Sequence, residues 1–412
     1  MTAPPFVTGL RCLHCGASYP HGDLLTCSRC GEQGILDVEY DYERVRASMT
    51  AVALSSRPLD HWRYRELLPV SPEVRPPHPA VGWTPVYDVP RLAAAVGIGS
   101  LLLKDDGRNP TASFKDRASS VGVMKAMEFG YAKIACASTG NAASSLAGMA
   151  AAAGLTAYIF VPQSAPEPKL AQLLIFGATV FRVRGSYAEA FELCRKACAR
   201  FGWYNRNSGT NPFLVEGKKT AGLEIAEQCA ARLPDWVVVS VGDGCTVGGI
   251  GKGLGEMTRL GWIPRMPRIL GVQAEGARPV VDAFVSGKPL VPCDAATIAD
   301  SIAVGTPRNW RRALTQITRS AGEMVAVSDD EILDAMRLTA RAGGVFGEPA
   351  AVTGVAGLRK AIAAGTVGPA ETALVVITGN GLKDIRSARQ AAGNEHSVPP
   401  SLKAVEEVLQ IP

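Results

Sequence analysis

Histidine is scarce in this sequence. The 412 residues include only five histidines, namely His14, His21, His61, His78 and His396. None of the five falls in the Gly-, Ser- or Thr-rich turns that follow the apolar segments of the chain. A Ser-His-Asp triad or a histidine-based metal centre is therefore hard to assemble in a cleft formed by those turns. Lysine remains as the side chain that can carry protons there.

Concentrated charge and long apolar segments are also missing. The net charge of +5 is small, and no basic run or aromatic-interleaved basic patch accompanies it, which excludes the usual patterns of nucleic-acid binding. The first residues have neither the basic start nor the apolar stretch of a signal peptide. The only long uncharged run, residues 134–166, is built on Ala, Ser and Gly and is interrupted by S-T-G-N, unlike a membrane span. We expect a cytoplasmic protein whose cysteines are reduced or bound to metal.

Short apolar runs alternate with Ala-rich helical patterns from about residue 98 onward. Short strands spaced by longer helices are typical of βαβ units, and so of largely parallel, buried sheets. With 47% hydrophobic and 20% charged residues, the composition fits an α/β protein with room for two lobes. The predicted strands are S-L-L-L-K, K-I-A-C-A-S, A-Y-I-F-V-P, T-V-F-R-V, W-V-V-V-S-V, R-I-L-G-V-Q-A and A-L-V-V-I-T-G.

Three of these strands are followed by turns rich in Gly, Ser or Thr. They are S-T-G-N at 138–141, V-G-D-G-C-T at 241–246 and T-G-N-G at 378–381. In open α/β sheets, ligands bind at the carboxyl ends of the strands, where such turns gather. The three turns therefore predict a single ligand cleft.

The segment N-P-T-A-S-F-K-D-R, residues 109–117, has the pattern of a loop that enters a helix. Pro110 disfavours helix at Asn109, and Ser113 can cap the following turn. Lys115 then lies in the first turn, where the helix dipole lowers the lysine pKa and favours the neutral amine that Schiff-base chemistry requires. The alternative, on this segment alone, is a solvated lysine at a helix start.

An apolar strand from Trp236 leads into a Gly-rich turn and a glycine-studded helix, V-G-D-G-C-T-V-G-G-I-G-K-G. Glycines let the backbone approach a phosphate, and a helix N-terminus offers free N–H groups to an anion. The G-K-S/T ending of a P-loop and the acidic residue of a dinucleotide fingerprint are missing. The turn thus predicts a phosphate site, or else only a tight βα connection. We expect Asp243 to point outward and the helix N-terminus to lower the thiol pKa of Cys245.

Two Cys-x-x-Cys pairs lie near the start of the chain, separated by eleven residues. Four thiolates at this spacing can surround a zinc ion tetrahedrally, and such a closed all-thiolate site is structural and not catalytic. The alternative is four reduced cysteines without metal. The predicted ligands are Cys12, Cys15, Cys27 and Cys30.

Taken together, the lysine segment, the S-T-G-N turn and the segment V-I-T-G-N-G-L-K-D at 376–384 resemble the threonine synthase branch of pyridoxal-phosphate enzymes. The motifs occur in the family's order, and the resemblance runs over nearly the entire chain. In that family a stretch like N-P-T-G-S-F-K-D-R holds the cofactor lysine, and Ala112 stands here in place of its glycine. The resemblance implies a two-lobed α/β fold of the tryptophan synthase β type, with open twisted sheets and flanking helices, and elimination or replacement chemistry on an amino acid.

The resemblance also assigns roles to individual residues. Lys115 would carry pyridoxal 5'-phosphate as a Schiff base and, once the substrate displaces it, remove the α-proton. Asn141 would bind the cofactor's 3-hydroxyl, and Thr378 would face the pyridine nitrogen, where a neutral hydroxyl suits elimination and replacement. Backbone amides of Ser138 and Thr139 would hold the substrate carboxylate. The cofactor phosphate would rest on Gly242, Asp243, Gly244, Cys245 and Thr246.

The same resemblance predicts the domain organisation. Residues 1–45 would form a zinc-ribbon-like segment, which also starts some archaeal and bacterial threonine synthases. Residues 46–128 and 208–412 would form the large cofactor-binding lobe, and residues 129–207 a smaller mobile lobe that closes over the substrate. The segment G-V-F-G-E-P-A around Glu348 has a family counterpart that we interpret as structural. A homodimer is expected from the family.

The substrate is indicated by the segment N-P-F-L-V-E-G-K-K-T, residues 211–220. Threonine synthases have a similar stretch, N-P-x-R-x-x-G-Q-K-T, whose arginine binds the phosphate of O-phosphohomoserine. Leu214 stands at that arginine's position and cannot donate to a phosphate, whereas Lys218, or an arginine elsewhere, can supply a point charge. The resemblance thus implies an O-phosphorylated amino acid as substrate, and conversion of O-phosphohomoserine and water to threonine and phosphate.

Other functions stay open at this point. Loss of the arginine also fits β-replacement on O-phosphoserine, as in cysteate synthases, and deamination of serine or threonine. A catalytically inactive binding homologue is disfavoured because Lys115 is intact. A nucleotide-dependent dehydrogenase is disfavoured because its fingerprint is missing.

Overall fold

The computed structural model describes residues 4–76, 79–163, 165 and 167–410, so that His78 lies outside the described residues. The strands are β1 (Val7–Cys12), β2 (Ser18–Tyr19), β3 (Leu36–Tyr40), β4 (Val86–Asp88), β5 (Ser100–Asp105), β6 (Lys133–Ala137), β7 (Thr156–Pro162), β8 (Thr179–Val183), β9 (Tyr204–Asn205), β10 (Trp236–Ser240), β11 (Arg268–Ala274), β12 (Glu323–Val327) and β13 (Thr372–Ile377). Every strand predicted from an apolar run is present.

The helices are α1 (Tyr42–Ser48), α2 (Ala51–Ser55), α3 (Pro90–Val96), α4 (Lys115–Glu128), α5 (Asn141–Ala152), α6 (Glu167–Ile175), α7 (Tyr187–Phe201), α8 (Phe213–Gln228), α9 (Cys245–Leu260), α10 (Pro279–Ser286), α11 (Trp310–Arg319), α12 (Asp329–Gly343), α13 (Pro349–Ala363), α14 (Ile385–Ala392) and α15 (Leu402–Leu409). Within the described part of the chain, none of them has both the length and the apolar character that crossing a membrane would require.

The largest sheet has six strands in the order β12-β11-β10-β13-β5-β4, all parallel except β4. All five residues of its strand β10 are buried. Because successive side chains of a strand point to opposite sides, both faces of the strand are therefore covered. Val237 and Val239 pack in the core with residues of α8, α9 and α11, whereas Trp236 and Val238 pack with residues of α3, α12 and α13. This double coverage explains why the strand is an uninterrupted apolar run and not an alternating one.

A second sheet has four parallel strands in the order β8-β7-β6-β9. All of its strands fall inside the predicted smaller lobe, residues 129–207. The carboxyl end of β6 leads into the S-T-G-N turn and then into α5. The boundaries of the lobes and the movement of the smaller one stay predictions.

The N-terminal segment forms a third, antiparallel sheet in the order β2-β1-β3. Its apolar residues, among them Leu10 and Val38, share a core with Phe213 at the start of α8. The carboxylate of Asp37 in β3 also forms ion pairs with Lys252 of α9 and Arg312 of α11. The segment is therefore joined to the two helices beside the Gly-rich turn.

Candidate active site

A cleft opens where β10 and β13 end, and it brings together most of the predicted site residues. The volume inside it is about 90 Å³. The predicted residues that line it are Lys115, Asn141, Lys218, Gly242, Asp243, Gly244, Cys245, Thr246 and Thr378.

Ser138 and Thr139 are not among the residues that line this cleft. They lie in the turn directly before Asn141, where the Ser138 Oγ accepts a hydrogen bond from the Gly140 N–H at 3.2 Å. Their contact with a substrate carboxylate stays a prediction.

Lys115 is the first residue of α4, as the sequence predicts, but Ser113 does not cap the helix. The residue at the cap position is Phe114, whose side chain makes no capping bond, and the buried Ser113 Oγ has no hydrogen-bond partner among the described residues. The residues before α4 instead pair with the segment that directly follows β13. Ser113 forms a β-bridge with Gly379, and the Phe114 N–H donates to the Thr378 carbonyl at 2.8 Å. This pairing brings Lys115 beside Thr378 in the cleft.

The Lys115 amine has a pKa lowered to about 8. Burial is the main cause, and the positive charges of Lys218 and Arg206 add to it, while the carboxylate of Glu348 acts in the opposite direction. The direction matches the prediction, although burial replaces the helix dipole as the leading cause. An amine with this pKa is about one-tenth neutral at pH 7, far more than an ordinary lysine, and the neutral form is the one that attacks an aldehyde.

The Gly-rich turn places a helix N-terminus at the cleft. Gly244 caps α9 in the left-handed conformation, with φ +93°, and a Cβ there would lie 2.6 Å from the Asn309 carbonyl oxygen. Only glycine fits this position without strain. The first N–H groups of α9 have no acceptor within the helix, and Cys245 and Thr246, which carry them, line the cleft. An anion bound at this turn would satisfy them.

Asp243 and Cys245 differ from expectation. The Asp243 carboxylate is turned toward a neighbouring segment and not into solvent, since it accepts from the Arg308 N–H at 2.8 Å and from Asn309 Nδ2 at 3.1 Å. The Cys245 thiol donates to the same carboxylate at 2.9 Å. Burial, followed by the charge of Asp243, raises the pKa of Cys245 to about 12. The predicted lowering is therefore wrong, because desolvation and an adjacent anion outweigh the helix N-terminus.

Asn141 is the first residue of α5, and its amide is held by the opposite side of the cleft. Its Nδ2 donates to Glu348 Oε1 at 2.7 Å and to Ser301 Oγ at 3.3 Å. Glu348 is buried and lines the cleft, and burial raises the pKa of its carboxyl. Gly379 makes room for it, because a Cβ there would lie 2.5 Å from Glu348 Oε1. Glu348, interpreted from the sequence as structural, is thus also part of the cleft wall.

Sequence reasoning missed three serines of the cleft. Ser240 ends β10, and its buried Oγ has no hydrogen-bond partner in the described part of the chain. A serine that ends an apolar strand just before a Gly-rich turn was the available signal. Ser208 and Ser301 also line the cleft, but they lie outside the strands and α-helices and belong to no recognisable motif.

These residues fit the cofactor that the motifs predict. The buried Lys115 amine can bind an aldehyde, and the N-terminus of α9 together with the unpartnered Ser240 hydroxyl can donate to a phosphate. Gly242 and Gly244 have no Cβ that would block the close approach of a phosphate to the backbone.

The four N-terminal cysteines also meet, at the end of the β1–β3 sheet. The Sγ atoms of Cys12, Cys15, Cys27 and Cys30 all lie within 4.8 Å of one another. Thiolates on a zinc ion at 2.3 Å are about 3.8 Å apart, so small movements suffice to close the site. Gly34 allows this close approach, because a Cβ there would lie 2.4 Å from the Cys27 Cβ.

Comparison with known proteins identifies relatives over the whole length of the chain. The family model described as pyridoxal-phosphate dependent enzyme matches residues 78–379. A threonine synthase of Methanosarcina acetivorans is 39% identical over 97% of this chain and 98% of that protein. The threonine synthase of Methanocaldococcus jannaschii is 36% identical over 97% of this chain and 99% of its own length. That of Mycobacterium leprae is 39% identical over 84% of this chain and 94% of its own length.

Solved structures share the fold. A serine racemase from maize superposes with a TM-score of 0.66 at 21% identity, over 75% of this chain and 91% of that chain. The processed form of threonine deaminase isoform 2 from Solanum lycopersicum has a TM-score of 0.65 at 21% identity, over 76% of this chain and 88% of that chain. At these identities the likeness concerns the fold alone, and it confirms the predicted α/β architecture with flanking helices.

Proposed function

The chain belongs to the pyridoxal-phosphate dependent enzymes, and from this premise we propose that it converts O-phosphohomoserine and water into threonine and inorganic phosphate. The observation that carries the proposal is the similarity to threonine synthases, at 36% and 39% identity over 97% of the chain for two of them. The cleft supports the cofactor on which this reaction depends, because the Lys115 amine and the anion-binding turn at the start of α9 line the same space.

The cleft residues would divide the binding of the cofactor among them. We assign the covalent link to Lys115, the ring hydroxyl to Asn141 and the ring nitrogen to Thr378. The backbone of the turn formed by residues 242–246 would hold the phosphate, with the carboxylate of Asp243 turned away onto the 308–309 segment. When bound, pyridoxal phosphate supplies a conjugated ring that delocalises the electron pair left by a broken C–H bond of the substrate.

Lys115 would move the protons of the reaction. Its amine has a pKa of about 8, so that about one-tenth of it is neutral at pH 7 and about half at pH 8, and the neutral form can accept the α-proton. Glu348 would keep Asn141 oriented through the 2.7 Å hydrogen bond between them. Ser138 and Thr139 would bind the substrate carboxylate from the turn before α5.

Further features of the proposal rest on the fold. The cluster Cys12, Cys15, Cys27 and Cys30 would bind a structural zinc ion. Residues 129–207 would act as the mobile smaller lobe, and the enzyme would work as a cytoplasmic homodimer. Each is tested separately from the reaction, by metal analysis, by scattering with and without substrate, and by sedimentation.

The decisive experiment measures phosphate release and identifies the product. The holoenzyme should release phosphate from O-phosphohomoserine and form threonine, and Lys115→Ala should lose both the activity and the near-visible absorption of the lysine–cofactor link. O-phosphoserine with sulfite, serine and threonine are the matched substrates for replacement and deamination. Turnover of O-phosphoserine alone, or of serine or threonine alone, would show that the proposed reaction is wrong.

A further inference from the structure

A buried arginine that has no ion-pair partner among the described residues lies beside the cleft. Arg206 follows β9 directly and is 1% exposed, and its N–H continues the pairing with β6 by donating to the Ala135 carbonyl at 2.9 Å. It therefore stands at the carboxyl edge of the four-stranded sheet, the same edge from which the S-T-G-N turn leaves β6. No carboxylate of the described residues forms an ion pair with it.

Hydrogen bonds from the described residues use only part of the donor capacity of this guanidinium. Its Nε and Nη2 donate to Ser119 Oγ at 3.1 and 2.9 Å, and its Nη1 donates to Ser208 Oγ at 3.2 Å. An arginine has five N–H donors, so one N–H on each terminal nitrogen remains for a further acceptor. A guanidinium can bind two oxygens of a phosphate through N–H groups on its two terminal nitrogens. Ser208, the anchor, itself lines the cleft.

Other buried arginines of the chain do have carboxylate partners. Arg117 forms ion pairs with Asp106 at 2.6 Å and with Glu224 at 2.5 Å. Arg63, which is 4% exposed, forms an ion pair with Glu227 at 2.7 Å. A buried charge without such a partner is costly, and it is retained where a ligand supplies the opposite charge.

Arg206 also belongs to a cluster of positive charge with Lys218 and Lys115. Lys218 is buried on α8 and lines the cleft, and burial, together with the charge of Arg206, lowers its pKa. The anion-binding turn at the start of α9 is a separate feature, built from backbone N–H groups. The cleft thus has two places for an anion, whereas the cofactor brings one phosphate.

Leu214 lies next to Arg206 in space. A Cβ added to Gly122 of α4 would be 2.6 Å from Leu214 Cδ2 and 3.8 Å from Arg206 Cγ, so both side chains pack over the same glycine. Leu214 itself is fully buried and offers no donor. The charge missing at position 214 is therefore available from a neighbouring side chain.

We propose that Arg206, with Lys218, binds the phosphate group of the O-phosphorylated amino-acid substrate and makes the enzyme specific for it. The inference rests on the proposed function and deepens it. Ser119 and Ser208 are positioning residues, which hold the guanidinium through three hydrogen bonds, and Ser208 connects it to the wall of the cleft.

The test compares two ligands that differ only in the anion. The holoenzyme is titrated with a non-hydrolysable phosphonate analogue of O-phosphohomoserine and with the corresponding amino acid that lacks the phosphonate, and binding is followed by calorimetry and by cofactor absorption. In Arg206→Gln, affinity for the phosphonate should fall about tenfold to a hundredfold, since charge-assisted hydrogen bonds are lost. Affinity for the phosphonate-free ligand should stay as in the wild type. Arg206→Lys should recover only part of the loss, because lysine has no fork of donors.

Arg63→Lys is the matched control, since this arginine is equally buried but paired and outside the cleft. It should change neither affinity. An equal loss for both ligands in Arg206→Gln would make the arginine merely structural and overturn the inference, as would an unchanged phosphonate affinity. These outcomes differ from failure of the proposed function, in which the wild-type enzyme neither prefers the phosphonate nor turns over O-phosphohomoserine.

Discussion

Replacing Gly244 by alanine should damage both stability and cofactor binding. The residue caps α9 with φ +93°, and an L-residue in this region costs about 1–2 kcal/mol. The new Cβ would also lie 2.6 Å from the Asn309 oxygen and 2.8 Å from its carbonyl carbon. Both atoms are backbone, so the 308–309 segment must move, at roughly 1–3 kcal/mol more. The expected total loss is roughly 2–5 kcal/mol of unfolding free energy.

Gly261, at the other end of the same helix, is the control for this substitution. Its φ is +84°, but no atom lies within 4 Å of an added Cβ. Gly261→Ala should therefore lose only the conformational part, about 1–2 kcal/mol. The difference between the two variants isolates the collision with Asn309.

Two measurements check the argument. Urea unfolding of the cofactor-free variants gives the free energies, and titration with pyridoxal phosphate, followed by near-visible absorption, gives the cofactor affinity. Moving the 308–309 segment also moves the carboxylate of Asp243, which that segment holds, so Gly244→Ala should bind the cofactor at least about tenfold more weakly. Gly261→Ala should bind it normally. Equal stability losses and equal cofactor affinities in the two variants would refute the reasoning.

Three further predictions concern titration, metal and buried charge. Turnover at saturating substrate should fall as the pH drops below about 8, because protonated Lys115 cannot accept the α-proton; a flat profile from about pH 6 to about pH 9 would contradict this. Purified protein should contain zinc, and a chelator or Cys15→Ser should lower the melting temperature by several degrees, whereas Cys293→Ser, an exposed cysteine outside the cluster, should not. Arg117→Met should cost about 3–5 kcal/mol of unfolding free energy, because it leaves the buried carboxylate of Asp106 without its ion pair and leaves Glu224 with Lys104 alone. Arg195→Met, at an exposed pair, should leave stability nearly unchanged in the same urea measurement.

The strands that the sequence predicts are the ones that the core covers. β10 and β11 are buried along nearly their whole length, so their apolar runs stand out from the surrounding residues. Apart from β1, the central strand of the N-terminal sheet, the strands that escaped prediction lie at sheet edges or are very short. β12 is an edge strand with half-buried residues, and β9 has two residues that pair only with β6. Such strands owe their conformation to a neighbour and not to a pattern of their own.

The site residues were predictable where a motif fixes the backbone. Lys115 and Asn141 begin helices at the carboxyl ends of strands, and local sequence determines where those helices start. The two wrong predictions rest on local sequence rules that burial in the folded protein overrides. Ser113 gives up its capping role to pair with the strand beyond Thr378, and the thiol pKa of Cys245 rises because desolvation exceeds the effect of the helix N-terminus.

The substrate is the part of the function that a linear motif describes least well. Leu214 breaks the threonine synthase pattern at the position of its phosphate-binding arginine, which by itself points away from a phosphorylated substrate. Arg206 lies eight residues earlier in the chain, yet its side chain packs over the same glycine as Leu214. A phosphate is bound by hydrogen-bond donors at a given point of the cleft, and side chains from different positions in the sequence can supply those donors. A comparison of motifs alone treats the leucine as a lost phosphate site. The buried guanidinium of Arg206, which no carboxylate of the described residues pairs with, makes a charge supplied from a neighbouring position the better interpretation.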